Sequence, residues 1–90
     1  MFYQYVELSD KTIIAHSELK NSGELKSIEV QFERPREAGG FCSARCELPS
    51  YKWIFNEYFS ADDLKFFEEF LSHNAQTLFK YAACGGIKIA

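Results

Sequence analysis

Cys42 and Cys46 stand in a C-x-x-x-C spacing, and Cys84 and His73 would complete a four-ligand set. A tetrahedral zinc site needs every thiolate within about 2.3 Å of one ion. The segment carrying Cys42 and Cys46 reads as an extended strand, in which residues four apart are separated by about 13 Å. That separation also exceeds the roughly 7 Å Cα distance a disulfide tolerates. The pair therefore reads as buried thiols, and no metal is expected. An odd number of cysteines, three, argues against a secreted disulfide scaffold.

Nucleophilic catalysis requires a Ser or Cys beside a His that a third group orients. Only His16 and His73 are present, and no G-x-S-x-G occurs. His16 falls mid-strand, with Glu18 or a neighbouring strand as its expected partner. His73 lies at the edge of a helical apolar stripe one turn after Glu69, the spacing of an exposed i,i+4 contact. Glu68 and Glu69 are adjacent on that helix and point about 100° apart, mostly toward water. Asp62 and Asp63 belong to the helix start. The Gly pairs at 39–40 and 85–86 lack the spacing of a phosphate loop or dinucleotide fingerprint. They read as a turn and a helix stop. No catalytic constellation assembles, and no cofactor is implied.

The elements that would position these groups are legible in outline. Segments 2–8 and 12–20 are rich in β-branched and aromatic residues, with a turn at Ser9-Asp10-Lys11 and a hairpin signal at Asn21-Ser22-Gly23-Glu24. Segment 25–34 alternates cleanly, with Ile28, Val30 and Phe32 on one face and Ser27, Glu29, Gln31 and Glu33 on the other. Segment 41–48 sets Cys42, Ala44, Cys46 and Leu48 against Phe41, Ser43, Arg45 and Glu47. If Phe32 sits opposite Cys42, Glu29 falls opposite Arg45 as a favourable cross-strand pair. Segment 51–59 reads either as a fifth strand or as an irregular crossing.

The last third reads as one helix over 61–83. Ser60 is its N-cap, Asp63 sits at the capping-box position, and Gly85-Gly86 is its stop. Leu64, Phe67, Phe70, Leu71, Ala75, Leu78, Tyr81 and Ala82 form its apolar face. Asn74 falls at the centre of that face. A buried amide without partners costs about 1–3 kcal/mol, so Asn74 either bonds a strand carbonyl or the 51–59 segment, or lines a pocket or dimer seam. The expected architecture is a single α+β domain over 1–90. An antiparallel meander of three to five strands carries one long C-terminal helix across one face. The element order resembles that of many small bacterial and phage-encoded modules, antitoxin-like ones among them, without a motif specific to any family.

Composition narrows the function. Hydrophobic residues make up 47% and aromatics 17% of the chain, too much for a disordered segment. The net charge of −3 disfavours nucleic acid or an anionic membrane as main partner. The strand aromatics Tyr3, Tyr5, Phe41 and Trp53 are conceivable base stackers but lack interleaved basic residues. No apolar run reaches the roughly 20 residues of a membrane span, and the N-terminus lacks signal-peptide features. A cytoplasmic setting is expected.

The Arg34-Pro35-Arg36 turn is the best basic feature, an anion dock or a solvated hairpin tip, flanked by Glu33 and Glu37. Tyr51, Trp53, Phe55, Tyr58 and Phe59 fall within nine residues, and Phe66 and Phe79 lie outside the helix stripe. A thin two-layer domain either buries all of these or leaves an apolar patch that marks an interface. The leading reading is a non-catalytic interaction module that docks a protein partner or itself through 51–59 and the helix flank. Trp53 and Tyr58 are its anchors, with Arg36 and Arg45 at the rim. Two alternatives remain: a ligand-binding domain or minor enzyme with a pocket near Asn74, His73 and Cys46, and a nucleic-acid adaptor.

Overall fold

The computed structural model describes residues 1–84. Six strands precede one helix: β1 (Phe2–Glu7), β2 (Ile13–Ser17), β3 (Lys20–Ser22), β4 (Leu25–Pro35), β5 (Phe41–Leu48), β6 (Lys52–Glu57) and α1 (Ala61–Ala83). All pairings are antiparallel, in the order β1-β2-β4-β5-β6, with the short β3 paired to β4 beside this path. This is the expected α+β meander with a long C-terminal helix. The additional strand arises because the 12–20 segment divides at Glu18-Leu19 into β2 and β3. Segment 51–59 resolves as a strand followed by a turn.

The alternation read from 25–34 and 41–48 holds. Ile28, Val30, Phe32, Cys42, Ala44, Cys46 and Leu48 are buried, as is Ile14 on β2. They face Phe67, Leu71, Leu78 and Ala82 of α1 across one core. Small residues on β5 leave room for the helix's large ones: Phe67 stacks on Phe32 with centroids 4.3 Å apart and meets Phe59 edge-on at 5.0 Å. The helix starts where the capping box places it. Ser60 Oγ accepts from the Asp63 N–H at 3.0 Å, and the Ser60 N–H donates to Asp63 Oδ2 at 3.1 Å. The Gly85-Gly86 stop lies outside the described residues. Phe79, expected off the stripe, is half-buried against the core, whereas Phe66 is 52% exposed.

The β4–β5 register differs from expectation by two residues. Phe32 pairs with Ala44, Arg34 with Cys42 and Pro35 with Phe41. The cause is a tight turn. Arg36 N–H donates to Gly40 O, and Gly39 N–H to Arg36 O, each at 3.0 Å. Gly39 (φ 100°) and Gly40 (φ 74°) take backbone conformations that side chains disfavour. The strands consequently run through Pro35 and Phe41 instead of stopping short of a six-residue loop. Glu29 then lies opposite Glu47, an unfavourable like-charge pair. Arg45 offsets it diagonally at 3.4 Å from Glu29, and Lys20 pairs with Glu29 from β3.

No helix among the described residues is long and apolar enough to cross a membrane.

Candidate functional site

The residues expected to act together are divided between the two faces and one edge of the sheet. Trp53 sits on the helix face of β6 opposite Cys46. Its ring lies 5.7 Å from that of Phe32, and its indole N–H donates to Glu68 Oε2 at 2.8 Å. It is a half-buried member of the core margin with its polar atom engaged. Glu68, read as solvated, is its acceptor.

Tyr58 is 69% exposed just past the end of β6, with φ at 76°. A non-glycine residue in this region is uncommon and is held by its surroundings. Asn56 supplies the restraint: its Oδ1 accepts from the Phe59 N–H at 3.2 Å and its Nδ2 donates to Phe59 O at 3.1 Å. The bend buries Phe59, throws Tyr58 outward, and lets the Arg36 guanidinium lie 3.9 Å from the Tyr58 ring centre. Phe41, 57% exposed, starts β5 at the same end of the sheet. Arg34 and Arg36 therefore do not form a joint anion dock. Arg34 turns to the helix side, bonding Asp10 at 3.0 Å and Asp63 at 2.8 Å.

Arg45 occupies the open face. Its Nε donates to Gln31 Oε1 at 2.7 Å, and its guanidinium lies 4.6 Å from the Phe2 ring and 5.4 Å from the Phe55 ring. These rings belong to the first and last strands of the sheet path, so Arg45 spans the face between its two edges.

Asn74 and His73 diverge. Tyr5 donates its hydroxyl proton to Asn74 Oδ1 at 2.8 Å, while Asn74 Nδ2 donates to Phe70 O at 2.8 Å. The partner across the interface is thus a tyrosine from β1, brought inward at an irregularity between Gln4 and Val6, and neither a strand carbonyl nor the 51–59 segment. Burial raises the Tyr5 phenol above its ordinary value, keeping it a donor. Tyr5→Phe and Asn74→Ala should each destabilise the fold, with a coupling of about 1 kcal/mol in a double-mutant cycle read by urea unfolding. Strict additivity would show that the bond contributes nothing.

His73 is exposed and, among the described residues, makes no ion pair with Glu69. His16 is fully buried, its Nδ1 bonded to its neighbour's carbonyl, Ser17 O, at 2.8 Å and its ring 5.7 Å from Tyr3. Glu18 is not its partner: it lies beyond the end of β2 at Ser17, and the Ser17 carbonyl takes the ring nitrogen instead.

The described residues enclose no cavity, and no group of three or more His, Cys, Asp or Glu converges on a point among them. Cys46 is buried, and desolvation, reinforced by Glu68 and Glu47, pushes its thiol up to about 12. It is a packing residue without thiolate character. Of the aromatics considered as base stackers, Tyr3, Tyr5 and Trp53 are engaged with other rings and Phe41 alone is largely exposed.

The outer edge of β6 is different in kind. β6 ends the sheet path, and no strand of the described residues pairs with its far side. Ile54 is left out of the ladder, since Phe55 pairs with Arg45 and Trp53 with the next residue, Cys46. It is 46% exposed, and Tyr51 and Tyr58 flank the strand at 37% and 69% exposure. Sequence reasoning missed Ile54, because a bulge has no compositional signature here. The one available signal was that Lys52-Trp53-Ile54-Phe55 fails to alternate. No family model, curated protein or solved structure matches this chain.

Proposed function

We propose that the protein is a non-catalytic interaction module whose docking element is the β6 edge. The carrying observation is the coincidence of a strand edge unpaired among the described residues with exposed Ile54 at its middle and exposed Tyr58 at its end. An unpaired edge offers a row of backbone donors and acceptors to an incoming extended segment. Apolar and aromatic side chains around it supply the desolvated contacts that backbone bonds alone lack. Tyr58 is the leading anchor, held outward by Asn56 and backed by Arg36. Trp53 stiffens the strand from behind through Phe32 and Glu68. Arg45 reaches Phe55 of the same strand from the open face.

Selection of extended peptides from a display library against the folded protein tests this reading. Binders should slow amide exchange across residues 52–57, and Tyr58→Ala or Ile54→Lys should weaken them about tenfold or more. Binders that ignore both variants and protect another region would place the docking surface elsewhere.

A further inference from the structure

β6 carries one cation and one anion near its two ends, Lys52 and Glu57. Five residues apart on a regular strand, they would point to opposite faces. The bulge at Ile54 reverses that parity. Lys52 pairs with Glu47 and Glu57 with Ser43, both of which lie on the open face. Trp53 and Asn56 pair with Cys46 and Ala44, both facing the helix. The strand is thereby self-complementary under a twofold rotation. Set antiparallel against an identical strand, with Lys52 opposite Glu57, it also brings Trp53 opposite Asn56 and Ile54 opposite Phe55. Each of the first two matches joins side chains of the same face. All six residues are used, and sliding the strands by two residues in either direction sets neither charge opposite the other. A bulge ordinarily protects an edge from pairing; two bulges that meet at the dyad oppose two residues to two and leave no mismatch between the copies.

Resting on the assignment of the β6 edge as the docking element, we propose that its partner is a second copy of this chain, joined β6 to β6 in that register. The axis runs perpendicular to the sheet, so the two sheets become continuous with both helices on one side. The contact is isologous and closes at two subunits.

The test is light scattering over a range from about micromolar to millimolar. The wild-type protein should form a dimer. Lys52→Glu and Glu57→Lys each place like charges at both ends of the contact and should weaken the dimer about tenfold or more. An equimolar mixture of the two single variants should form a heterodimer, because every cross-strand charge pair is again opposite in sign. The double variant should regain the homodimer for the same reason. Circular dichroism establishes that each variant is folded. Should a variant fail to fold, amide exchange of the wild type decides: residues 53–56 should slow as the concentration rises. A protein monomeric to millimolar concentration, a dimer indifferent to both single variants, folded variants that do not pair in the mixture, or exchange at 53–56 unchanged on association would each overturn the proposal. A monomer whose β6 edge still captures selected peptides loses this inference and keeps the docking assignment. A monomer that captures none loses both.

Discussion

Replacing Phe67 with alanine is expected to cost about 3–5 kcal/mol, against well under 1 kcal/mol for the same change at its neighbour Phe66. Phe67 is 1% exposed and holds two rings in different ways, Phe32 face to face and Phe59 edge-on. Phe59 is the buried half of the bend that throws Tyr58 outward. Truncating Phe67 leaves a cavity between helix and sheet that β5 cannot close, because its residues there, Ala44 and Cys46, are already small. A domain of this class has about 5–15 kcal/mol in all, so the variant should sit at or near the edge of unfolding. Phe66 is 52% exposed, and only its ring edge meets Phe67. Urea midpoints measured side by side check the contrast. Equal losses would mean that the helix does not dock through the Phe67 face.

The second large effect concerns Arg34. Its guanidinium joins Asp10, which precedes β2, to Asp63 in the first turn of α1, and lies 5.0 Å from the Phe59 ring. Three parts of the chain meet on one side chain. Asp10 is half exposed and its bond contributes little. The Asp63 bond is more sheltered and shares an acceptor with the capping box. Arg34→Met keeps most of the aliphatic stem and removes the charge, and it should cost about 2 kcal/mol near neutral pH.

The pH dependence follows from Asp63. Burial alone would push this carboxyl up, but the Arg34 bond and the Ser60 backbone and hydroxyl bonds outweigh it and hold it below its ordinary value. A carboxyl depressed in the folded state contributes stability above its unfolded pKa of about 3.9, and that contribution is lost as pH falls through the folded value. The gap between wild type and Arg34→Met should therefore be full near neutral pH and shrink as the pH falls below the unfolded value of about 3.9 and through the lower folded one. A gap that stays constant across that range would show that the ion pair is not its source.

What the sequence discloses about this fold depends on how local the determining physics is. The helix start was readable because Ser60 and Asp63 bond each other's backbone N–H within four residues. The faces of β4 and β5 were readable because alternation needs no knowledge of a partner. Register was not, since it depends on how Arg36, Gly39 and Gly40 close the turn. The inward turn of Tyr5 and the bulge at Ile54 were hidden for a related reason: each is a mismatch between two strands and belongs to neither alone. Asn74 was correctly placed on the inner side of the helix, yet its partner, 69 residues away, follows only from the assembled sheet. The aromatic segment was legible as surplus. Its division into a buried Phe59, a braced Trp53 and an outward Tyr58 was not, because the side chain of Asn56 sets the first and last, and Glu68 and Phe32, distant in sequence, set the second.

The meander order has a kinetic corollary. Each ladder joins strands that follow one another in the chain, apart from β2 and β4, which pair across the short β3 that is itself hairpinned onto β4. Every pairing can form by closing a short loop, so the sheet can grow hairpin by hairpin at small entropic cost per step. The contacts that span the chain are few: Arg45 with Phe2, Tyr5 with Asn74, and the packing of the helix. None of them can form until the strands between are in place. Helix docking is thus the step that converts a set of locally assembled hairpins, with their apolar side still wet, into a cooperative unit. The slow, non-local part of folding is concentrated in the final third of the chain.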